Sequence, residues 1–175
     1  MEKTLKTIII GADHRGWQAK EDLKRSIAEW GYLIADEGAH AYDVHDDYPD
    51  IAYAVALRVA QEDDMQGVLL CGSGVGMSVV ANKVQGIRAS LCFFPEQAAA
   101  AKHDDDANVL VLSVDYLTAA QMRRILKSWL DTDFAPKEKY MRRLRKITLL
   151  ETQGYLKNVK AQSSNAMVRQ AHHDK

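Results

Sequence analysis

The sequence contains little cysteine and no long apolar run, and each shortage excludes a class of protein. Cys71 and Cys92 are the only two cysteines among 175 residues, far from the composition of a small disulfide-bonded domain. The first residues, MEKTLKTIIIGADHRG, include only a very short apolar stretch before charges begin. We therefore expect neither a signal peptide nor a membrane-spanning helix, and a cytoplasmic protein is the simplest expectation.

The chain also lacks an excess of either charge. Its 23 basic and 24 acidic residues leave a formal net charge of −1, which gives no reason to expect a nucleic acid or an anionic membrane as partner. No internal repeat or linker divides the sequence. We predict one domain over residues 1–153, long enough to bury a sizeable core, and a loosely ordered tail over residues 154–175, where apolar periodicity is weak.

Short β-branched runs alternate with longer amphipathic stretches along the predicted domain. Pro95 suits the first turn of a helix, and Thr118 is a candidate N-cap. Alternation at this spacing predicts an α/β fold with a parallel sheet and helices on both of its faces. The predicted strands are 7–11, 32–36, 67–71, 87–93 and 108–113, and the predicted helices are 17–30, 51–62, 75–84, one that begins at residue 95, 118–130 and 137–152.

One stretch, VLLCGSGVGMSVVAN at residues 68–82, places a cysteine at the mouth of a glycine loop. A phosphate-binding P-loop would need lysine and then serine or threonine after the last glycine, but Met77 and Ser78 follow Gly76. The dinucleotide fingerprint G-x-G-x-x-G is matched only weakly, because the spacing here is G-x-G-x-G and belongs to the third strand. The third interpretation is a nest of backbone N–H groups that binds a phosphate or a developing oxyanion.

Cys71 stands at the edge of this nest, where a helix N-terminus can stabilise a thiolate relative to the ordinary thiol pKa of about 8.5. A thiolate beside an oxyanion nest is either a nucleophile or a base that removes a carbon-bound proton. The alternative is a small buried residue at the end of a strand, since free cysteine is often buried. Cys92 lies inside the fourth predicted strand without glycines near it, and we interpret it as structural.

A second polar loop follows the first predicted strand. Asp13 and His14 stand in the sequence GADHRG at the carboxyl end of a parallel strand, where open α/β sheets bind ligands. If strand one lies beside strand three, both residues face Cys71 across one crevice. The polar loop at residues 40–47 contains histidines and aspartates but no recognised metal-ligand spacing, so we expect no metal site there.

These motifs together resemble the ribose-5-phosphate isomerase B family, which includes galactose-6-phosphate isomerase subunits. The resemblance implies aldose–ketose isomerisation of a sugar phosphate through an enediol, without metal or organic cofactor. It also implies a three-layer α/β/α sandwich with a five-stranded parallel, Rossmann-like sheet, strand one beside strand three, and a C-terminal helix. The motifs, in order over roughly residues 5–151, are GADHRG near the start, DDYPDIA at 46–52, LLCGSGVGMSVVANKVQGIRA at 69–89 and DANVLVLS at 106–113.

The resemblance assigns roles to individual positions. Cys71 would move a proton between adjacent carbons, Ser73 would relay protons between the two oxygens, and Asp13 would assist protonation. Family members are dimers or larger with part of each site supplied by the neighbouring subunit, which implies a homodimer or homotetramer with a shared site. The remaining matched positions would contact the substrate: the backbone of Gly72, Gly74 and Gly76 the enediolate, His14 and Tyr48 the hydroxyls, and Lys139 and Arg143 the phosphate.

The chain departs from the family pattern before its fifth predicted strand. The family has histidine at the position of Asp104, where it helps to open the sugar ring, and here His103 lies one residue earlier. We expect His103, Asp104 and the following Asp105 to contact the substrate. Either His103 replaces the missing histidine and ribose 5-phosphate is the substrate, or the enzyme prefers a short open-chain substrate such as a tetrose or tetrulose phosphate.

The phosphate site departs as well. A family arginine shortly after the fifth strand falls at Asp115, and another falls at Lys139, which keeps the charge but loses the bidentate fork of arginine. Arg15 or Arg142 could compensate. Alternatively, the basic stretch KEKYMRRLRK forms a solvated helix face. These changes leave open a protein of another class, a non-catalytic sugar-phosphate-binding or regulatory module with the same fold.

Overall fold

A computed structural model describes residues 6–62 and 64–152 of the protein. The tail predicted over residues 154–175 lies outside the described residues. A first compact unit ends at Ala135, and a second begins at Pro136. The extent predicted for the domain, residues 1–153, stays a prediction.

The first unit is built on a parallel five-stranded sheet in the order β2-β1-β3-β5-β4. Its strands are β1 (Thr7–Ala12), β2 (Leu33–Asp36), β3 (Met65–Cys71), β4 (Ala89–Leu91) and β5 (Val109–Ser113). Its helices are α1 (Trp17–Glu29), α2 (Tyr48–Val59), α3 (Val75–Ala81), α4 (Pro95–Asp105) and α5 (Ala119–Leu130).

The core lies on both faces of the sheet because side chains along a strand alternate in direction. Ile8 and Ile10 of β1 join the apolar cluster covered by α1, α4 and α5, whereas Ile9 joins the cluster covered by α2 and α3. All three isoleucines are fully buried. This arrangement confirms the predicted three-layer α/β/α sandwich, and the strand order confirms that strand one lies beside strand three.

The winding of the chain reverses between β1 and β3. From β1 the chain crosses to β2 at one edge of the sheet, whereas from β3 it crosses to β4 at the other edge. The helices that begin these crossovers, α1 and α3, pack on opposite faces. The loops after β1 and β3 therefore diverge at the carboxyl ends of the strands, where open α/β sheets bind ligands.

Helices α1, α3 and α4 begin at the predicted residues, and α2 begins earlier than predicted. Pro95 begins α4, and Thr118 caps α5 by accepting the backbone N–H of Gln121 in a capping box. α2 begins at Tyr48 rather than at residue 51, because Pro49 fits the first helical turn, where no N–H is needed. The early start places the tyrosine at the beginning of a rigid element.

The fourth strand is shorter than the predicted 87–93. The backbone N–H of Arg88 donates to the side chain of Asn108 at 2.8 Å, while its carbonyl oxygen accepts the backbone N–H of Asn108 at 3.2 Å. With a side chain taking one of its two backbone bonds, Arg88 stays outside the regular strand, and the register of β4 with β5 runs from Ala89 to Leu91.

A buried ion pair fastens α1 to the loop that follows β2. The fully buried ammonium of Lys20 donates to both carboxylate oxygens of Asp36, at 2.8 and 2.7 Å, and to the carbonyl oxygen of Ala39 at 2.8 Å. Lys24 donates to the same carboxylate at 2.7 Å from a partly exposed position. Burial alone raises the pKa of Asp36, but the hydrogen bonds from the two lysines outweigh it and hold this pKa below its ordinary value.

The second unit contains α6 (Glu138–Glu151). Lys139 and Arg143 are four residues apart and therefore lie on one face of this helix. The ammonium of Lys139 stands 4.4 Å from the ring centroid of Tyr140, and Arg143 is exposed. Throughout residues 6–62 and 64–152, every helix is too short or too polar to cross a membrane.

Candidate active site

The loop after β1 buries a carboxylate at the edge of the crevice. One oxygen of Asp13 accepts the backbone N–H groups of Arg15 and Gly16 at 3.1 and 3.0 Å. Burial raises the pKa of Asp13, although the hydrogen bond from Gly16 opposes this shift. A carboxyl group whose pKa is raised can hold a proton more readily than a solvated one, which suits a group that assists protonation.

His14 is fixed by a residue from a different loop. One carboxylate oxygen of Asp46 lies 2.6 Å from Nδ1 of His14 and accepts its backbone N–H at 3.1 Å. The other oxygen of Asp46 is buried and has no hydrogen-bond partner among the described residues. The pair holds the imidazole ring in one orientation beside Asp13, with Nε2 as the nitrogen left for a ligand.

Cys71 lies at the carboxyl end of β3 and is 5% exposed. Its Sγ accepts the backbone N–H of Gly74 at 3.2 Å. Burial raises the pKa of the Cys71 thiol, and the backbone donors of Met77 and Gly74 only partly offset this effect. The backbone N–H groups at the helix N-terminus thus favour the thiolate, as expected, but desolvation of the charged form has the larger effect on the pKa.

The glycine loop has the special backbone that the sequence suggested. Gly74 adopts φ +79°, a left-handed conformation that favours glycine. A Cβ atom on Gly76 would lie 2.6 Å from the Tyr48 ring, so the tyrosine packs directly on the loop. The hydroxyl of Ser73 accepts the N–H of Val75 at 3.3 Å.

The end of β5 holds this loop from below. The hydroxyl of Ser113 donates to the carbonyl oxygen of Gly72 at 2.7 Å, and the N–H of Val114 donates to that of Cys71 at 3.1 Å. These bonds fix the backbone that carries the predicted base and the predicted oxyanion donors.

The crevice brings together several of the predicted site residues. Asp13 and Arg15 are close enough to Cys71 to influence its pKa, the first raising it and the second lowering it. Tyr48 reaches the same loop from α2. The two polar loops predicted from the sequence therefore form one cluster.

Three predicted residues lie elsewhere within a single chain. His103, Asp104 and Asp105 form the carboxyl end of α4, which leads into the start of β5. This start lies at the amino-terminal ends of the strands, whereas Cys71 lies at their carboxyl ends. Nδ1 of His103 lies 2.6 Å from a carboxylate oxygen of Asp104. Their contact with substrate stays a prediction, as does that of Lys139 and Arg143 in the second unit.

Cys92 has the character of a structural residue. It is fully buried, and burial raises the pKa of its thiol to about 11. Its backbone N–H donates to the carbonyl oxygen of Val111 at 3.1 Å, which extends the pairing beside β5. Over residues 6–62 and 64–152, no group of three or more potential metal-ligating side chains occurs.

Sequence reasoning missed Asp46 as a site residue and left Arg15 and Asp115 as separate observations. Asp46 belongs to the DDYPDIA motif, so a signal is present, but the polar loop at residues 40–47 that contains it shows no recognised ligand spacing. Arg15 and Asp115 form an ion pair of 2.6 Å across 100 residues of sequence. Neither pairing has a local pattern that would reveal it.

Comparisons with known proteins find relatives over most of the chain. A family model described as Ribose/Galactose Isomerase matches residues 8–147. The probable ribose-5-phosphate isomerase B of Mycoplasma genitalium is 36% identical over 145 residues, which cover 82% of this chain and 95% of that protein. The D-erythrulose-4-phosphate isomerase of Pectobacterium atrosepticum is 33% identical over 128 residues, which cover 73% of this chain and 84% of that protein.

Solved structures give the same similarity. The crystal structure of ribose-5-phosphate isomerase B from Mycoplasma genitalium with bound ribulose-5-phosphate matches with a TM-score of 0.81 at 35% identity. The match covers 84% of this chain and 97% of that one. Sequence and fold are therefore similar over nearly the same length.

Proposed function

The chain belongs to the ribose/galactose isomerase family of sugar-phosphate aldose–ketose isomerases, and we propose that it works through a cis-enediol with Cys71 as the carbon base. One observation carries this proposal: Cys71 ends β3 beside the glycine loop, with the carboxyl group of Asp13 close by. A base, an oxyanion nest and a carboxyl group with a raised pKa are the parts that such a proton transfer needs.

The proposed reaction moves one proton between adjacent carbons without net gain or loss. The Cys71 thiolate removes the proton from C2 of the aldose phosphate, and the electrons of that bond form the C1–C2 double bond while O1 becomes negative. Ser73 relays a proton from O2 to O1. The Cys71 thiol then returns its proton to C1, which leaves a ketone at C2.

The backbone of the glycine loop would stabilise the enediolate between these two steps. Since the N–H of Gly74 already donates to Sγ of Cys71, it favours the thiolate, and the other N–H groups between Gly72 and Gly76 are the donors for the developing oxyanion. Removing one such donor from an enzyme typically lowers the rate about 10²–10³-fold. Asp13, His14 and Tyr48 would hold the substrate hydroxyls.

We further propose a cytoplasmic homodimer or homotetramer in which neighbouring subunits complete each site. The carboxyl end of α4 lies at the amino-terminal ends of the strands, whereas Cys71 lies at their carboxyl ends. His103 and Asp104 would therefore reach a Cys71 only in another chain. Lys139 and Arg143 share an exposed face of α6 and would bind the phosphate as a pair of cations.

The aspartate at position 104 predicts a preference for a short substrate. Pentose and hexose phosphates lie mostly in closed rings, whereas a tetrose phosphorylated on O4 has no hydroxyl that could close a furanose ring. The similarity to a D-erythrulose-4-phosphate isomerase supports this choice. We expect kcat/KM for erythrose 4-phosphate to exceed that for ribose 5-phosphate by about tenfold or more, a difference of about 1.4 kcal/mol in transition-state binding.

A coupled assay with tetrose, pentose and hexose phosphates tests this preference, together with binding measurements on the same compounds. Asp104→His should raise activity on ribose 5-phosphate and leave erythrose 4-phosphate nearly unchanged. If ribose 5-phosphate is much the better substrate and His103→Ala loses it, the preference is wrong and His103 acts in ring opening. Binding of all compounds without turnover would overturn the isomerase mechanism itself.

A second prediction concerns the enediolate and phosphate subsites. A planar hydroxamate that carries a phosphate should bind at least about 10²-fold more tightly than the substrate, because it resembles the enediolate. Arg143→Ala should weaken phosphorylated ligands roughly 10- to 100-fold, since it removes charge-assisted hydrogen bonds, and should hardly affect the unphosphorylated sugar. Arg145→Ala, which alters another face of α6, is the matched control. Equal losses for both kinds of ligand would assign Arg143 a structural role.

A further inference from the structure

The guanidinium group of Arg15 lies directly on the glycine loop. A Cβ atom on Gly72 would stand only 2.6 Å from Cζ of Arg15, so the absence of a side chain at Gly72 is what admits the guanidinium. The loop after β1 thereby delivers a permanent positive charge to the residue that follows Cys71.

Both partners of the Arg15–Asp115 ion pair are anchored to the backbone of the site. Nη2 of Arg15 donates to a carboxylate oxygen of Asp115 at 2.6 Å. The backbone N–H of Arg15 is held by the buried carboxylate of Asp13, and the backbone N–H of Asp115 donates to the carbonyl oxygen of Gly72 at 3.1 Å. The loops after β1, β3 and β5 therefore converge on one guanidinium.

Donor capacity remains on this arginine. A guanidinium has five N–H donors, and within residues 6–62 and 64–152 its hydrogen bonds end on Asp115. The side chain of Arg15 is 54% exposed, so its remaining edge is accessible to a ligand in the crevice. An arginine held along one edge and open along the other is suited to bidentate contact with a phosphate.

We propose that Arg15 binds the phosphate group of the substrate and that Asp115 is a positioning residue that holds its guanidinium on Gly72. The proposal rests on the proposed function, because it takes a sugar phosphate as the ligand. Asp13, Ser73 and Tyr48 carry no positive charge, so Arg15 supplies the positive charge that a phosphate dianion requires in this part of the crevice. The position at which the resemblance predicted an arginine, Asp115, carries the counter-ion, and the arginine comes from the loop after β1.

The test compares binding of inorganic phosphate and of erythrose 4-phosphate by calorimetry on the full-length protein, together with KM and kcat. Arg15→Ala should raise Kd for inorganic phosphate and KM for the sugar phosphate roughly 10- to 100-fold, with a smaller change in kcat. Arg15→Lys should recover part of the loss. Arg25→Ala, an exposed arginine of α1 paired with Asp22, is the matched control and should change neither constant.

The role of Asp115 is tested by combining substitutions. Asp115→Asn should raise Kd for phosphate less than Arg15→Ala does, and Arg15→Ala/Asp115→Asn should be no worse than Arg15→Ala alone, because Asp115 acts through the arginine. The transposed variant Arg15→Ala/Asp115→Arg should recover most of the phosphate affinity, since it returns a guanidinium to the same place.

Two results would overturn the proposal. One is unchanged phosphate affinity in Arg15→Ala with a shifted pH profile for alkylation of Cys71, which would make Arg15 an activator of the thiolate. The other is a lower midpoint of thermal unfolding in Arg15→Ala with unchanged phosphate affinity, which would make the ion pair structural. Because calorimetry needs no turnover, lost phosphate affinity in Arg15→Ala would support the proposal even if no sugar phosphate were isomerised by the wild type.

Discussion

Cys71→Ala is expected to lower kcat/KM by about 10²–10⁴-fold, the contribution typical of a positioned acid–base group. Exchange of the substrate C2 hydrogen with solvent, followed by NMR in D₂O, should fall with it, because both processes need the same proton abstraction. The fold should survive, since the change removes one buried sulfur atom. Cys71→Ser is a less clean variant because a hydroxyl could retain some proton transfer.

Cys92→Ala is the matched control for this experiment. The two cysteines are buried and are free thiols, but Cys92 belongs to the apolar cluster on the face of the sheet opposite to that of Cys71. Its replacement should leave kcat/KM nearly unchanged and affect only the free energy of unfolding. Near-normal turnover in Cys71→Ala, or an equal loss in both variants, would contradict the assignment of the base.

The pH dependence gives the same assignment a second test. Because burial raises the pKa of the Cys71 thiol above its ordinary value, which already lies above neutral pH, the thiolate that acts as base is a minor species at neutral pH. Activity should therefore increase with pH, and the midpoint of the increase should lie on the alkaline side of an ordinary thiol. If activity already reaches its plateau below pH 7, another group must be the base.

The sequence was sufficient to predict the sheet, which depends on local patterns, and the chemical class followed from the family resemblance of its motifs. Alternating β-branched and amphipathic runs defined the strands and helices, and the glycines before Val75 marked a loop with an unusual backbone. The direction in which the pKa of the Cys71 thiol shifts could not be predicted from the sequence. It depends on how completely α2, α3 and the neighbouring strands exclude water from Sγ, and this is a property of packing.

Contacts between distant loops were equally beyond the sequence. His14 meets Asp46 across 32 residues, and Arg15 meets Asp115 across 100 residues. Such pairs form because the carboxyl ends of all parallel strands lie at the same end of the sheet. The strand order is needed to know which of the loops there become neighbours. The same topology separates Asp104 from Cys71 in one chain, although the resemblance groups them in one site.

Replacing the buried Lys20 is expected to have a large effect on the stability of the fold. Lys20→Met should lower the free energy of unfolding by about 3 kcal/mol, because it leaves Asp36 with a poorer set of partners in a buried position. Lys24 would still neutralise that carboxylate from a side chain that is 29% exposed, which keeps the loss near the lower end of the usual range. The carbonyl oxygen of Ala39 would also lose its donor.

Lys24→Met is the matched control, because it removes a second lysine from the same carboxylate at a more exposed position and should cost at most about 1 kcal/mol. Urea unfolding at several pH values measures both variants. A depressed pKa stabilises the folded state above the ordinary value of 3.8, and this stabilisation is lost as pH falls through the folded-state pKa. The wild type should therefore lose more stability on acidification than Lys20→Met, whose Asp36 lies closer to its ordinary pKa. Equal losses in the two lysine variants, or identical acid dependence in wild type and Lys20→Met, would show that burial of the ammonium does not matter for stability.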